Sequence, residues 1–148
     1  MRRISFSCSN CGAAIEISQS AVTVVCASCG HVCVREAKSA EDCSALLRYA
    51  DQEWAARNFL HAEAAYGEVL KADSRNAAAR WGRVMCRYGV EFVENSPTIH
   101  ILRRQPILED PDYLAACACA PDRSEYERLA GYVSQVQRRL LELQAARQ

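Results

Sequence analysis

Four cysteines near the N-terminus constrain the fold of this chain more than any other feature. They form two copies of one pattern, CSNCG at residues 8–12 and CASCG at residues 26–30, with fourteen residues between the two pairs. Each Cys-x2-Cys pair brings two sulfurs together in a tight turn, and the glycine that follows suits a backbone with positive φ. The pattern predicts one tetrahedral zinc site, with the ligands Cys8, Cys11, Cys26 and Cys29.

Short alternating or β-branched runs lie on both sides of each cysteine pair. They are RISFS, AAIEIS, VTVV and VCV, and they predict two hairpins of a small zinc ribbon over residues 1–37. Four thiolates leave no ligand position for water, so we expect one structural Zn²⁺. The ion supplies folding free energy that fewer than about 40 residues do not gain from burial alone. His31 and Cys33 stand close by and are candidates for substitute ligands, but with four spaced thiolates available we interpret both as ordinary strand positions.

The composition narrows the class of protein. Lys and Arg together number 18, as do Asp and Glu, so the chain has no overall attraction to nucleic acid or anionic membranes. No run approaches the roughly 18 apolar residues that indicate a membrane-spanning helix, so we expect no membrane association. An odd count of nine cysteines favours free thiols and metal in a reducing compartment, which predicts a cytoplasmic protein.

After the ribbon the hydrophobic period changes from two to about 3.6 residues, which predicts a helical domain over residues 38–148. Helices are expected at residues 40–56 and 59–72, and a third is expected to end at Gly89, a plausible C′ residue. The fold class is therefore mainly α with a small β zinc ribbon.

The helical spacing is similar to a tetratricopeptide repeat of about 34 residues. The positions that match its aromatic, small and apolar sites are Ala50, Phe59, Ala62, Tyr66, Val69 and Leu70. Ser74 stands where the repeat has a turn proline, and Val84 occupies a small position of the third helix. The second repeat is thus incomplete, and the remaining helices must cover the first one.

The whole chain resembles a family of bacterial proteins that join an N-terminal zinc ribbon to a tetratricopeptide-like module. The resemblance rests on the CxxCG pairs, on the order Trp81-Gly82, Cys86 and YGVEFVE at residues 88–94, and on PILEDPDYLAACA. Some relatives continue into a Toll/interleukin-1-receptor-like or membrane domain. The resemblance implies an adaptor or regulatory module of a bacterial signalling or defence assembly.

Two sets of residues are candidates for a partner surface. The first consists of aromatic residues on the expected concave side, Tyr49, Trp54, Trp81 and Tyr88, of which we expect at least half to be core. The second is Arg103 with Arg104, in an irregular stretch that we expect to form a loop or short extended ribbon on the helices. These arginines either dock an acidic peptide or phosphate or are simply solvated.

The C-terminal region predicts two further helices. Asp110-Pro111 is a favourable start for one, and Asp122 with Glu125 opens the last. The last helix carries an apolar stripe of Leu129, Tyr132, Val133, Val136, Leu140 and Leu143. This stripe either closes the core or, in its distal part, pairs with a second copy or another chain.

No catalytic constellation is visible in the sequence. Cys117 and Cys119 stand two apart on a predicted helix, which suits helix packing better than a paired site, and the three histidines are scattered. The sequence therefore predicts a non-catalytic, zinc-stabilised protein-interaction adaptor. The alternative is a nucleic-acid-associated accessory factor that reads its ligand through the ribbon. A nucleic-acid partner is less expected, because the ribbon has no basic cluster interleaved with aromatic residues.

Overall fold

The computed structural model describes residues 3–18, 22–34, 40–94 and 96–147. The strands are β1 (Arg3–Ser7), β2 (Ala14–Ser18), β3 (Thr23–Val25), β4 (Val32–Val34), β5 (Val90–Val93) and β6 (Ser96–Ile99). The helices are α1 (Ala40–Ala55), α2 (Phe59–Ala72), α3 (Ala77–Arg87), α4 (Pro111–Cys119) and α5 (Ser124–Ala146), and a 3₁₀ turn covers Ile107–Glu109. The fold is mainly helical with small antiparallel sheets, as predicted. The predicted domain boundary between residues 37 and 38 lies outside the described ranges.

The N-terminal region consists of two antiparallel hairpins. β1 pairs with β2, with Phe6 opposite Ile15, and β3 pairs with β4, with Val24 opposite Cys33. Their buried side chains form a small cluster of Cys8, Ile15, Ile17, Cys26 and Cys33. A cluster of this size buries little apolar area, so a metal cross-link between the hairpins would contribute a large share of their stability.

The second hairpin packs on the first two helices. Val34 belongs to the same buried cluster as Leu46 of α1 and Leu70 of α2. The hydroxyl groups of Thr23 and Tyr49 share a hydrogen bond of 2.9 Å. The ribbon is therefore joined to the helical part by both apolar packing and a polar contact.

The three helices α1, α2 and α3 pack in succession. α2 presents small residues at its contacts, and Ala62 and Ala65 are fully buried. Gly82 of α3 lies under the ring of Tyr66, where a Cβ would come within 2.3 Å of the ring carbon Cζ. The close approach of α2 and α3 therefore depends on glycine at position 82. The bounds of α1 and α2 agree with the prediction to within one residue, whereas the tetratricopeptide-like arrangement stays a prediction.

α3 ends in a short hairpin rather than in an irregular loop. Gly89 has φ of 56°, as predicted for a C′ residue. Its carbonyl accepts a hydrogen bond of 2.8 Å from the N–H of His100, which closes β5 and β6 onto the helix end. The indole Nε1 of Trp54 donates to the carbonyl of Val90 at 2.8 Å. The stretch expected to be a loop or short extended ribbon is thus a strand at Ser96–Ile99, and its pairing with β5 was not predicted.

α4 starts as predicted at Asp110-Pro111, and the Asp110 carboxylate accepts hydrogen bonds from the first-turn N–H groups. α5 starts at Ser124, whose N–H donates to Asp122 at 3.0 Å. None of the helices in the described ranges combines the length and apolarity that a membrane crossing requires.

The apolar stripe predicted for the last helix is wrong in part. The buried face of α5 consists of Ala130, Val133, Ser134 and Gln137. Tyr132 and Leu143 of the predicted stripe are exposed. Gln137 is buried instead, because its side chain forms hydrogen bonds with three backbone groups. It accepts from the N–H of Ile107 at 3.0 Å and donates to the carbonyls of Arg103 and Gln105 at 2.9 and 2.7 Å. A fully hydrogen-bonded amide can be buried at little cost.

Candidate metal centre and adjoining cleft

Both cysteine pairs are held by the same backbone hydrogen bonds. The N–H of the first cysteine donates to the carbonyl five residues later, at 2.8 Å for Cys8 and 2.9 Å for Cys26. The N–H of the glycine donates back to that cysteine's carbonyl, at 2.9 Å for Gly12 and 2.8 Å for Gly30. The two glycines have φ of 79° and 77°, a conformation that L side chains rarely adopt. The repeated sequence pattern therefore folds into two equivalent turns.

The two turns bring four sulfurs together. The Sγ atoms of Cys8, Cys11, Cys26 and Cys29 all lie within 4.8 Å of one another. The distance is 3.7 Å from Cys8 to Cys29 and 3.6 Å from Cys11 to Cys26. Metal–sulfur bonds of about 2.3 Å in a tetrahedral site place sulfurs about 3.8 Å apart. The four cysteines therefore fit a tetrahedral metal ion, and a set of thiolates alone suits zinc and other thiophilic ions.

The protonation of these thiols also favours a cation at their centre. The backbone N–H of Cys11 lowers the pKa of Cys8 to about 6, and the Asn10 side chain lowers the pKa of Cys29. The backbone N–H of Ala13 acts in the same direction on Cys11, but the neighbouring sulfurs and burial outweigh it and raise the pKa of Cys11 to about 12. The neighbouring sulfurs thus oppose the ionisation of Cys11, and a divalent ion at the centre would remove that opposition.

Cys33 lies beside this centre. Its Sγ is 3.5 Å from the Sγ of Cys8, and the residue is 3% exposed. Its place in β4 agrees with the prediction of a strand position. His31 is exposed and lies just before β4, so its interpretation as a strand position is wrong. Among the described residues, the group of side chains able to hold a metal contains the four predicted cysteines and neither of these two.

An open cleft of about 620 Å³ lies where the ribbon meets the helices. Its ribbon wall consists of Ser9, His31, Val32 and Val34. The helical wall consists of Leu60, Glu63, Ala64, Gly67, Glu68, Leu70 and Lys71 of α2 and of Arg80 and Arg83 of α3. Leu60 is 77% exposed at its edge. The cleft therefore combines apolar and charged side chains from both parts of the fold.

An ion network that the sequence analysis missed joins α3 to α4. The Arg87 guanidinium donates to both carboxylate oxygens of Asp110 at 2.7 Å and to Asp112 at 2.7 Å. Arg80 donates to Asp112 at 2.9 Å, and the Tyr88 hydroxyl donates to Asp110 at 3.1 Å. Burial opposes the ionisation of Asp112, but the two arginines outweigh it and lower the pKa of Asp112. Two features of the sequence could have indicated this network: the arginines at i, i+3 and i+7 on α3, and the motif Asp-Pro-Asp before α4.

The four candidate aromatic anchors do not form one surface. Tyr88 is fully buried, so it is a core residue and is not available to a partner. Trp81 is partly buried and stacks on Tyr126 at 5.0 Å between ring centroids. Trp54 and Tyr49 are also partly buried and engaged by the hydrogen bonds described above. None of the four lines the cleft.

The two candidate arginines of the loop are exposed. The Nε of Arg103 donates to the carbonyl of Arg87 at 2.9 Å, which ties the loop to the end of α3. Arg104 lies beside the distal part of α5, where it lines a smaller cavity of about 360 Å³ with Leu141, Gln144 and Ala145. Arg103 therefore has a structural contact, and Arg104 faces the end of the last helix.

The cysteines of α4 take part in packing. Cys117 lies against the buried cluster that contains Val84, Met85 and Tyr113, and Cys119 is partly buried. Burial and the Cys117 side chain raise the pKa of Tyr113 to about 12. These contacts agree with the interpretation of YLAACACA as a tightly packed helix.

No protein family, no curated protein and no solved structure gives a match to this chain. The cysteine centre and the cleft beside it therefore carry the functional proposal.

Proposed function

We propose that this chain is a non-catalytic adaptor in which a zinc-held ribbon and a tetratricopeptide-like helical module bind a segment of a partner protein between them. The observation that carries the proposal is the cleft between β4 and α2, since both parts of the fold supply its walls. Val32 and Val34 lie only a few residues after Cys29. A metal at the four cysteines would thus stabilise one wall of the binding site without touching the partner.

The chemistry of the cleft favours an extended peptide that presents apolar side chains and backbone acceptors. Leu60 at the edge and Val32 and Leu70 along the walls offer apolar contact. The Arg83 side chain is 31% exposed, and its Nε lies 3.7 Å from Asp112, which is too far for a hydrogen bond. The part of the Arg83 guanidinium that faces the cleft can donate to a peptide carbonyl or carboxylate.

The charges of the cleft argue against a nucleic acid as the occupant. Glu63 and Glu68 line the same space as the arginines. Lys71 is paired with Glu68 at 2.7 Å, and Arg80 is paired with Asp112 at 2.9 Å. A phosphate backbone requires a surplus of unpaired cations along its path, and these pairs remove most of that surplus.

The free thiols bear on where the adaptor acts. All nine cysteines are unpaired, although several lie near another sulfur. Thiols persist in reducing compartments, so we propose a cytoplasmic location.

We keep self-association through the distal part of α5 as a subsidiary proposal, since Leu143 is 47% exposed there.

Two glycines allow a matched test of the cleft. A Cβ at Gly67 in the cleft or at Gly131 on α5 meets no atom within 4 Å, so the fold accepts a side chain at either site. We expect Gly67→Gln to fill the cleft and Gly131→Gln to leave it open. The wild type is used to capture a partner at moderate salt from native lysate, in parallel with and without nuclease treatment. That partner is then purified, and its dissociation constant is measured for both variants and for Cys26→Ser/Cys29→Ser.

The adaptor proposal predicts a dissociation constant at least tenfold higher for Gly67→Gln and for the double cysteine variant, and no change for Gly131→Gln. Equal binding by both glycine variants would show that the partner does not occupy the cleft. Capture of nucleic acid alone, lost on nuclease treatment or at high salt, would replace the adaptor with the ribbon reader.

A further inference from the structure

We propose that Cys33 is the resolving cysteine of an oxidation-sensitive site, in which hydrogen peroxide converts Cys8 and Cys33 into a disulfide and removes Cys8 from the metal centre. The two sulfurs lie 3.5 Å apart, both residues are buried, and the Cys33 thiol is placed to donate to Cys8. A disulfide bond is about 2.05 Å long, so the sulfurs need to approach by only about 1.5 Å.

The position of Cys33 gives it a different relation to the centre from the four candidate ligands. It lies in the middle of β4, opposite Val24, and not in either of the two turns. Cys8 belongs to the first turn, so a bond between the two would join the hairpins directly. That bond would cross-link the same two parts that the metal holds, but with one ligand sulfur fewer for the metal.

The exposure of the ligands indicates where an oxidant enters. Cys11 and Cys29 are exposed, whereas Cys8 and Cys33 are buried. The sulfur of Cys29 is 3.7 Å from that of Cys8, and Cys8 in turn is 3.5 Å from Cys33. The three sulfurs therefore form a chain of contacts from the surface to the interior.

The chemistry balances in three steps. The Cys29 sulfur attacks the peroxide O–O bond, an S–O bond forms, and one oxygen leaves as water; the sulfur is oxidised by two electrons to a sulfenic acid. The Cys8 sulfur then displaces the second oxygen as water and forms a disulfide with Cys29. The Cys33 sulfur attacks Cys8, and Cys29 is released as a thiol. In sum, two thiols and one hydrogen peroxide give one disulfide and two waters.

The 8–33 disulfide is a reversible end state. Sulfenic acids that find no thiol continue to sulfinic and sulfonic acids, which are not reduced by thiols. A dithiol reduces the 8–33 disulfide, and the protein can then bind metal again. Because Val32 and Val34 of the same strand line the cleft, oxidation would also weaken partner binding, a consequence that rests on the proposed adaptor function.

The test compares full-length wild type with Cys33→Ala, each loaded with one equivalent of Zn²⁺. Both are treated with hydrogen peroxide, metal release is followed with a chromogenic chelator, and disulfides are mapped by mass spectrometry without reduction. We expect a dominant 8–33 disulfide in the wild type and an 8–29 disulfide in its place in Cys33→Ala. Cys33→Ser serves as the second variant where the alanine variant folds poorly.

Each other outcome overturns the inference. A wild type in which 8–29 or 11–26 disulfides dominate would show that Cys33 does not resolve the oxidised site. Retention of zinc by the oxidised wild type would contradict the loss of Cys8 from the metal centre. The disulfide map is also read on metal-free protein, so a failure of zinc binding is distinguished from a failure of the cysteine pair.

Discussion

Removal of the negative charge of Asp110 should destabilise the helical domain more than any other conservative change at the α3–α4 junction. Asp110 is 1% exposed, and both of its oxygens accept from Arg87 at 2.7 Å. The Asp110→Asn variant keeps nearly the same shape and can still cap α4, since asparagine is as good an N-cap as aspartate. It loses the ion pair and leaves the Arg87 guanidinium, whose side chain is only 22% exposed, with part of its counter-charge.

The magnitude follows from this geometry. Breaking a buried ion pair by removing one partner costs about 3–5 kcal/mol. Arg87 keeps Asp112 at 2.7 Å, so we take the lower end, about 3 kcal/mol. For a chain of this size, 1 kcal/mol shifts the melting temperature by about 2–4 °C, which gives a decrease of about 6–12 °C.

The assay is urea unfolding followed by helical circular dichroism at pH 7, with the metal content held constant. Asp122→Asn is the matched control, because Asp122 is exposed and makes one helix-start contact with Ser124 at 3.0 Å; we expect it to change stability by less than about 0.5 kcal/mol. Replacing Arg87 by methionine as well should recover part of the loss, since no unpaired charge is then buried. A loss no greater than that of the control would refute this account of the network.

Three further predictions test other parts of the structure. The pKa of Asp112 is lowered in the fold, so its stabilisation is present at neutral pH and is lost as the pH falls below about 4; the stability difference between wild type and Asp112→Asn in urea should therefore shrink from pH 7 to pH 3. Gly82→Ala should destabilise the fold by about 1–3 kcal/mol, because the added Cβ would clash with the Tyr66 ring. Gly131→Ala should stabilise the fold by about 0.5–1 kcal/mol, because its Cβ meets no atom within 4 Å. Thermal unfolding measures both changes. Gly12→Ala should weaken Zn²⁺ binding about fivefold in a chelator competition, since φ of 79° costs an alanine about 1 kcal/mol.

The parts of the fold that depend on local sequence could be predicted. The Cys-x2-Cys-Gly spacing is enough to form each turn, because every hydrogen bond that holds the turn lies within six residues. The start of α4 at Asp110-Pro111 and the end of α3 before Gly89 follow from side-chain capping and from the conformational freedom of glycine.

The parts that depend on distant contacts could not be predicted. Cys33 contacts Cys8 across 25 positions of the chain, and strand periodicity says only that it faces inward. Gln137 is buried on α5 because three backbone groups some 30 residues earlier meet its amide. A hydrophobic period alone therefore found Val133 on that face but missed Gln137 and included the exposed Tyr132 and Leu143.

The candidate partner surface could not be predicted either, because it too depends on contacts between distant parts of the chain. Tyr88 was an aromatic residue at a suitable spacing, but its position at the end of α3 buries it against Asp110. The cleft that replaces it as the proposed binding site is formed by residues from β4, α2 and α3. No single segment of the sequence carries a signal for such a cleft.

The metal site itself is best tested by the metal content of the full-length protein purified without chelators, together with its absorption spectrum after cobalt substitution. We expect one metal ion per chain, the charge-transfer and ligand-field bands of a tetrahedral four-thiolate site, and loss of both in Cys11→Ser. A wild type that is folded, carries no metal and has four freely reactive ribbon thiols would show that the four cysteines hold no metal.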